Sequence, residues 1–177
     1  MVFFMTFIKS KHVVFISECL VNQNIRAYGV GNVQGEGPCC EILDLLSKNG
    51  IGLTVVPCPE IFCQGLKRNA CDKEYYNNST YRTMCSQIAD YVLDRYKMYL
   101  DDGYTVGGFI CVNGSPSCAI DYCYCDKRKC LEAGVLIEEL QAKLKACNLE
   151  LDFIGVRMKE LDIALKKINE MILRIKG

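Results

Sequence analysis

Histidine is nearly absent. The chain of 177 residues holds only His12, at the head of the apolar run His12-Val13-Val14-Phe15-Ile16. That run reads as a strand, and its start is the wrong edge for a site, so serine-histidine and cysteine-histidine catalysis lack their base. Net charge is absent too. Lys plus Arg balance Asp plus Glu at 21 each, which argues against nucleic acid or an anionic membrane surface as partner and leaves a small molecule as the default. The apolar stretch Met1 to Ile8 is far too short to cross a bilayer and has no small-residue cleavage site. It reads as an extension of the first strand, and the protein as cytoplasmic. Gly29-Val30-Gly31 does not complete a Gly-x-Gly-x-x-Gly fingerprint or directly follow a strand, and no Walker-type loop is present, so a nucleotide has little support. The length suits one domain, 1–177, with a core of its own.

Cysteine, by contrast, is abundant, with thirteen in the chain. In a reducing compartment such a count points to thiolates used for metal binding or catalysis rather than to crosslinks.

Four runs read as buried strands: 12–16, Leu53 to Val56, Tyr104 to Val112 and Leu151 to Val156. Each is followed by a helical pattern. The first helix is expected from about Pro38 to Lys48, closed by Asn49-Gly50, since proline suits a first turn and glycine a C-terminal cap. Tyr81, Met84, Cys85, Ile88, Val92, Tyr96 and Tyr99 draw one stripe along a second helix. Leu136, Leu140 and Leu144 mark a third, and Leu161, Leu165, Ile168, Ile172 and Ile175 a last one that packs on the sheet. Alternation of strand and helix implies a three-layer α/β/α fold with a four-stranded, mainly parallel sheet and right-handed crossovers. In such sheets the loops leaving the carboxyl ends of the strands share one edge, which is where sites form.

Cys19, Cys58 and Cys118 each follow one of the first three strands, so topology gathers them at that edge although they are far apart in sequence. Cys58 stands between Pro57 and Pro59, and Cys118 ends the turn Ser115-Pro116-Ser117-Cys118. Both are rigid settings that suit a ligand. Any one of the three alone is equally well a small buried hydrophobe.

These segments resemble the thiouracil desulfidases and their relatives. The likeness lies in Ser17-Glu18-Cys19-Leu20-Val21 with Arg26 and Gly29 behind it, in Val56-Pro57-Cys58-Pro59-Glu60 followed by Gly65-Leu66, and in Ser115-Pro116-Ser117-Cys118. The resemblance implies a 4Fe-4S cluster held by three cysteines with one iron unligated by protein, and non-redox removal of sulfur from a thiolated compound. Asn22, Ala27-Tyr28-Gly29, Lys67-Arg68 and Val112-Asn113-Gly114 depart from the family pattern, which marks a divergent branch with an altered substrate.

An iron left open by three thiolate ligands is a soft Lewis acid suited to sulfur. Glu60, two residues from Cys58, is the candidate general base, with Ser115, preferred over Ser117, to position water or substrate. A bland reading has Glu60 only receiving backbone hydrogen bonds at a helix start. Arg26 and Arg68 are candidates to hold an anionic substrate group, or are solvated charges. Cys63, five residues past Cys58, competes with it as the second ligand. Cys123-Tyr124-Cys125 with Cys130 makes a denser thiol group that suits zinc or a second cluster, although no fourth zinc ligand is evident and a thiol-rich surface loop over the site is the simpler reading. The alternative function is a sulfur or electron carrier using a cluster and accessory thiols. A zinc-stabilised binding module is weaker.

Overall fold

A computed structural model of the chain describes residues 9–29 and 39–177. Its chain order is β1 (His12–Ser17), α1 (Glu18–Val21), α2 (Cys40–Lys48), β2 (Gly52–Val56), α3 (Pro59–Gln64), α4 (Lys73–Tyr76), α5 (Ser79–Asp101) and β3 (Thr105–Val112). There follow β4 (Cys123–Cys125), β5 (Arg128–Cys130), α6 (Val135–Ala146), β6 (Phe153–Val156) and α7 (Leu161–Lys176). Met1 to Ile8, Val30, Gly31 and Pro38 lie outside the described residues. The expected strand extension, the second glycine of the pair and the start of the first helix therefore fall there.

The main sheet is wholly parallel with order β2-β1-β3-β6. Period-two alternation sorts its side chains into two layers. Phe15, Phe109 and Cys111 point to one face, where Tyr81, Cys85, Val92, Leu136 and Leu140 of α5 and α6 cover them. Val14, Ile16 and Ile110 point to the other, against Ile42 and Leu46 of α2 and Ile168 and Ile172 of α7. Burying each such large apolar side chain is worth about 1.5–3 kcal/mol. The helices thus follow the stripes expected of them. The seam of α7 packs on the sheet, and Asn78 starts α5 by accepting from the Tyr81 backbone N–H at 3.0 Å.

Strand β3 carries two glycines because it bulges. Val13 pairs with Val106 and Phe15 with Phe109, so β3 spends one residue more than β1 over that step. Gly108, at φ +144°, lies where an added Cβ would come within 2.7 Å of the Asp152 carbonyl oxygen. Only glycine fits there.

Sequence order runs outward from β1 to β2 on one side and from β3 to β6 on the other. The reversal between β1 and β3 is a topological switch point, and its carboxyl edge opens a crevice. The two-stranded antiparallel ladder β4–β5 was not expected from the sequence, nor were the short helices α1 and α4, while α3 begins at the helix start weighed for Glu60. Among the described residues no helix is long and apolar enough to cross a membrane.

Candidate metal centre

A cavity of about 470 Å³ occupies the crevice, lined by residues that leave β1 (Ser17, Glu18, Cys19), β2 (Val56, Cys58, Glu60), β3 (Val112 to Pro116, Cys118) and β6 (Val156 to Lys159). Cys19, Cys58 and Cys118 therefore face one space. Cys63 does not: it is exposed on α3 and is not among the lining residues. All thirteen cysteines are free thiols.

Each loop is held by its own chemistry. Strand β1 passes straight into the single turn α1, which places Cys19 over the sheet edge, and the Glu18 carboxylate accepts the Cys58 backbone N–H at 2.8 Å. That bond ties the first loop to the second. Cys58 precedes Pro59 at the first turn of α3 and is extended, with φ −80° and ψ 112°, as a residue before proline prefers. In the third loop the Ser115 hydroxyl oxygen accepts the backbone N–H groups of Ser117 at 3.2 Å and Cys118 at 3.0 Å. The start of α6 closes behind this turn: an added Cβ on Gly134 would overlap the Ser117 carbonyl, and the Leu136 N–H donates to that same carbonyl at 3.0 Å. Asn113 clamps the far side of the loop, with its Oδ1 accepting the Ile120 and Asp121 N–H groups and its Nδ2 donating to Asp121. Its departure from the family pattern thus has a local structural use. Asn22 likewise caps a short turn, accepting the Asn24 N–H at 3.2 Å.

Glu60 is buried between these loops. Its Oε1 accepts the hydroxyls of Ser115 at 3.2 Å and Ser117 at 3.0 Å, and its Oε2 accepts Arg68 Nε at 3.3 Å. Because the single Ser117 proton goes to Glu60, the Tyr81 hydroxyl 2.6 Å away donates to Ser117. Arg68 is 4% exposed and also donates to the Ile25 carbonyl at 2.7 Å and to Cys58 Sγ at 3.7 Å. It is neither a solvated charge nor a free anion receptor. Arg26 is the opposite case: it lines the cavity, and its Nε and Nη2 are buried without a hydrogen-bond partner among the described residues. Ser17 Oγ is in the same condition.

Glu18, Tyr81 and Gly134 were not singled out in advance. Glu18 stands inside the first cysteine motif and was legible as the neighbour of a ligand. Tyr81 reads as one more apolar stripe position, and nothing in the sequence signals Gly134.

The electrostatics suit a cation. Burial pushes the Cys19 thiol up to about 11, against the opposing pull of Arg26. Burial and then the charges of Glu60 and Cys19 push Cys58 up to about 12, and burial with the charges of Cys58 and Cys19 carries Cys118 well above the usual thiol range. The three thiols sense one another, so they ionise together only if positive charge shares the space. A soft donor set of this kind fits an iron-sulfur cluster.

Fold and site together define a three-layer α/β protein with a thiol-lined, carboxylate-backed cavity at its switch point. No protein-family model matches the chain. It is 28% identical over 166 residues to an uncharacterized protein of Methanocaldococcus jannaschii, covering 93% of this chain and 99% of that one. Among solved structures it is similar to the 4Fe-4S-dependent thiouracil desulfidase TudS, with 18% identity and a TM-score of 0.48 over 88% of this chain and 99% of that one. Neither likeness by itself assigns an activity.

Proposed function

We propose that the chain is a cluster-dependent desulfidase that exchanges the sulfur of a small thiocarbonyl compound for the oxygen of water and releases it as hydrogen sulfide, with no net redox change. The observation that carries the proposal is the joint placement of Cys19, Cys58, Cys118 and the Glu60 carboxylate around one cavity. Cys19, Cys58 and Cys118 would hold a 4Fe-4S cluster, which supplies a soft Lewis-acidic iron not ligated by protein.

The protein's own groups account for the rest. Glu60 is the general base. Its Oε1 is taken up by two serine hydroxyls and its Oε2 by one guanidinium N–H, which leaves lone-pair capacity on Oε2 for the proton of an attacking water. Ser115 and Ser117 fix the carboxylate's angle, and Tyr81 fixes Ser117. Arg68 balances the charge of Glu60 and donates to Cys58 Sγ. The Nε and Nη2 of Arg26, which have no hydrogen-bond partner among the described residues, receive an anionic group of the substrate, which places the thiocarbonyl toward the thiols. The free thiols suit a reducing cytoplasm.

The test is sulfide release by anaerobically prepared protein from a panel of thiolated pyrimidines and thioamides, comparing wild type with Glu60→Gln. The amide keeps the shape but cannot take the proton, so turnover falls about 10²- to 10⁴-fold while iron content is unchanged. A cluster-loaded protein that releases no sulfide from any of the panel, yet cycles reversibly between oxidation states with a protein partner, would establish the carrier reading instead.

A further inference from the structure

A second thiol group lies outside the cavity. Strands β4 and β5 form a hairpin with register Cys123 to Cys130, Tyr124 to Lys129 and Cys125 to Arg128. The two loop residues, Asp126 and Lys127, have φ of 45° and 60°, the tight turn that suits the twist of a two-residue hairpin. The backbone N–H of Asp126 donates to Glu74 at 3.2 Å and that of Lys127 to Asp72 at 2.6 Å, so the tip is anchored at α4.

Alternation along the strand puts Cys123 and Cys125 on one face and Tyr124 on the other. Cys130, opposite Cys123, shares the thiol face, with its sulfur against the Arg128 carbonyl at 3.6 Å and the Cys125 carbonyl at 4.0 Å. The sulfurs of Cys123 and Cys125 are 3.8 Å apart. Two thiolates bound to one tetrahedral zinc at about 2.3 Å stand about 3.8 Å apart. A carboxylate oxygen of Glu132 lies within 4.8 Å of both sulfurs. It comes from the chain just past β5, and it is the non-thiol donor that no spacing in the sequence announced. The other face of this group is also prepared: Lys73 is 4% exposed, and its ammonium donates to Glu132 Oε2 at 2.8 Å and to Glu138 at 2.6 Å. Three thiolates and a carboxylate around Zn²⁺ leave net negative charge, which the buried ammonium offsets while it orients the carboxylate.

We propose that Cys123, Cys125 and Glu132, whose ligand atoms already lie within 4.8 Å of one another, form a structural site for one Zn²⁺, distinct from the cavity thiols, which Cys130 closes when its side chain turns from the backbone carbonyls to the ion. Its use is to hold the hairpin in place. Tyr124, on the opposite side of β4, lines the cavity beside Tyr122, so fixing the three thiols fixes that wall. A site with four protein ligands has no open position and carries no chemistry of its own.

The test is zinc and iron content of anaerobically purified full-length protein, followed by Co²⁺ substitution of the zinc. One zinc per chain is expected, with the strong visible bands of tetrahedral cobalt thiolate. The double variant Cys123→Ser, Cys125→Ser should lose zinc at least tenfold while keeping iron, and Cys118→Ala should do the reverse. Should the double variant fail to fold, Glu132→Gln serves in its place: metal affinity falls 10- to 100-fold, read by chelator competition, with the circular dichroism of wild type. Zinc below 0.1 per chain both as purified and after addition of Zn²⁺ under reducing conditions would overturn the proposal. So would a Cys123–Cys130 disulfide found by alkylation and mass analysis of the anaerobic protein, or zinc that follows Cys118 instead of the hairpin cysteines.

Discussion

The cavity thiols and the hairpin thiols solve one problem, gathering soft ligands, in opposite ways. Cys19, Cys58 and Cys118 come from three loops with whole helices between them, and their meeting is a product of the parallel sheet: the register of β1 with β2 and β3 brings the loop starts together before any ligand arrives. Cys123, Cys125 and Cys130 come from one hairpin whose strands are three residues each. A hairpin so short is marginal alone. It leans on α4 through Asp72 and Glu74 and on Lys73 through Glu132. The first group is preorganised by a core, so a bound group adds function to a fold that already exists. The second is preorganised by a few surface hydrogen bonds, so a bound ion contributes to the structure itself.

The largest effect expected is the separation of the two groups by metal content. Cys118→Ala or Cys19→Ala should remove essentially all cluster iron. Cys58→Ala should do the same and Cys63→Ala should not, because only Cys58 lines the cavity. Equal iron retention in the Cys58 and Cys63 variants, measured by iron and acid-labile sulfide assay, would show the second ligand to be misassigned.

Next is the cavity's anion end. Removing a charged hydrogen-bond donor in a desolvated site costs about 1.5–3 kcal/mol, so Arg26→Gln should lower kcat/KM for anionic thiolated substrates about 10- to 100-fold and leave neutral ones near wild type. A uniform loss across both classes would mean that Arg26 supports the fold or the thiols rather than the substrate.

The two regions meet at Gly134, which stands just past Glu132 and against the Ser117 backbone. Gly134→Ala forces that backbone to shift and should destabilise by about 1–3 kcal/mol, read by denaturant melting. Unchanged stability would mean that the hairpin end and the third cavity loop move independently.

The smallest effect concerns the support beneath the hairpin. Burial alone would raise the Glu138 carboxyl, but hydrogen bonds from Lys73 and Arg82 outweigh it and hold the group below its usual 4.5. A carboxylate lowered on folding stabilises above its unfolded value and loses that contribution as pH falls through the folded one. Glu138→Gln should therefore cost about 1 kcal/mol at neutral pH. Thermal melts from pH 7 downward should show the gap to wild type closing in acid, and a gap independent of pH would point to packing rather than charge.

Much of the architecture was legible because it rests on local pattern. Continuous apolar runs marked the four strands of the main sheet, stripes at helical spacing marked α5, α6 and α7, and the alternation of the two implied a parallel sheet. The hairpin was not legible: Cys-Tyr-Cys and Arg-Lys-Cys show no apolar alternation, and Asp126-Lys127 lacks the glycine that usually announces such a turn. Asn113 and Asn22 read as departures from a family pattern, and their hydrogen bonds show them to be loop clamps.

What the amino-acid order determined by itself is therefore periodic: which segments are strands or helices, which faces are apolar, and that cysteines follow three strands. These follow from side-chain spacing along one element. What tertiary structure decided is pairwise and long-range: that Glu60 meets Ser115, Ser117 and Arg68, that Glu18 ties Cys58 in place, that two buried Arg26 nitrogens have no hydrogen-bond partner among the described residues, that Cys63 turns outward, and that Glu132 joins the hairpin thiols. Such contacts depend on how loops of different strands face one another across a shared edge, and no spacing within a single segment encodes that.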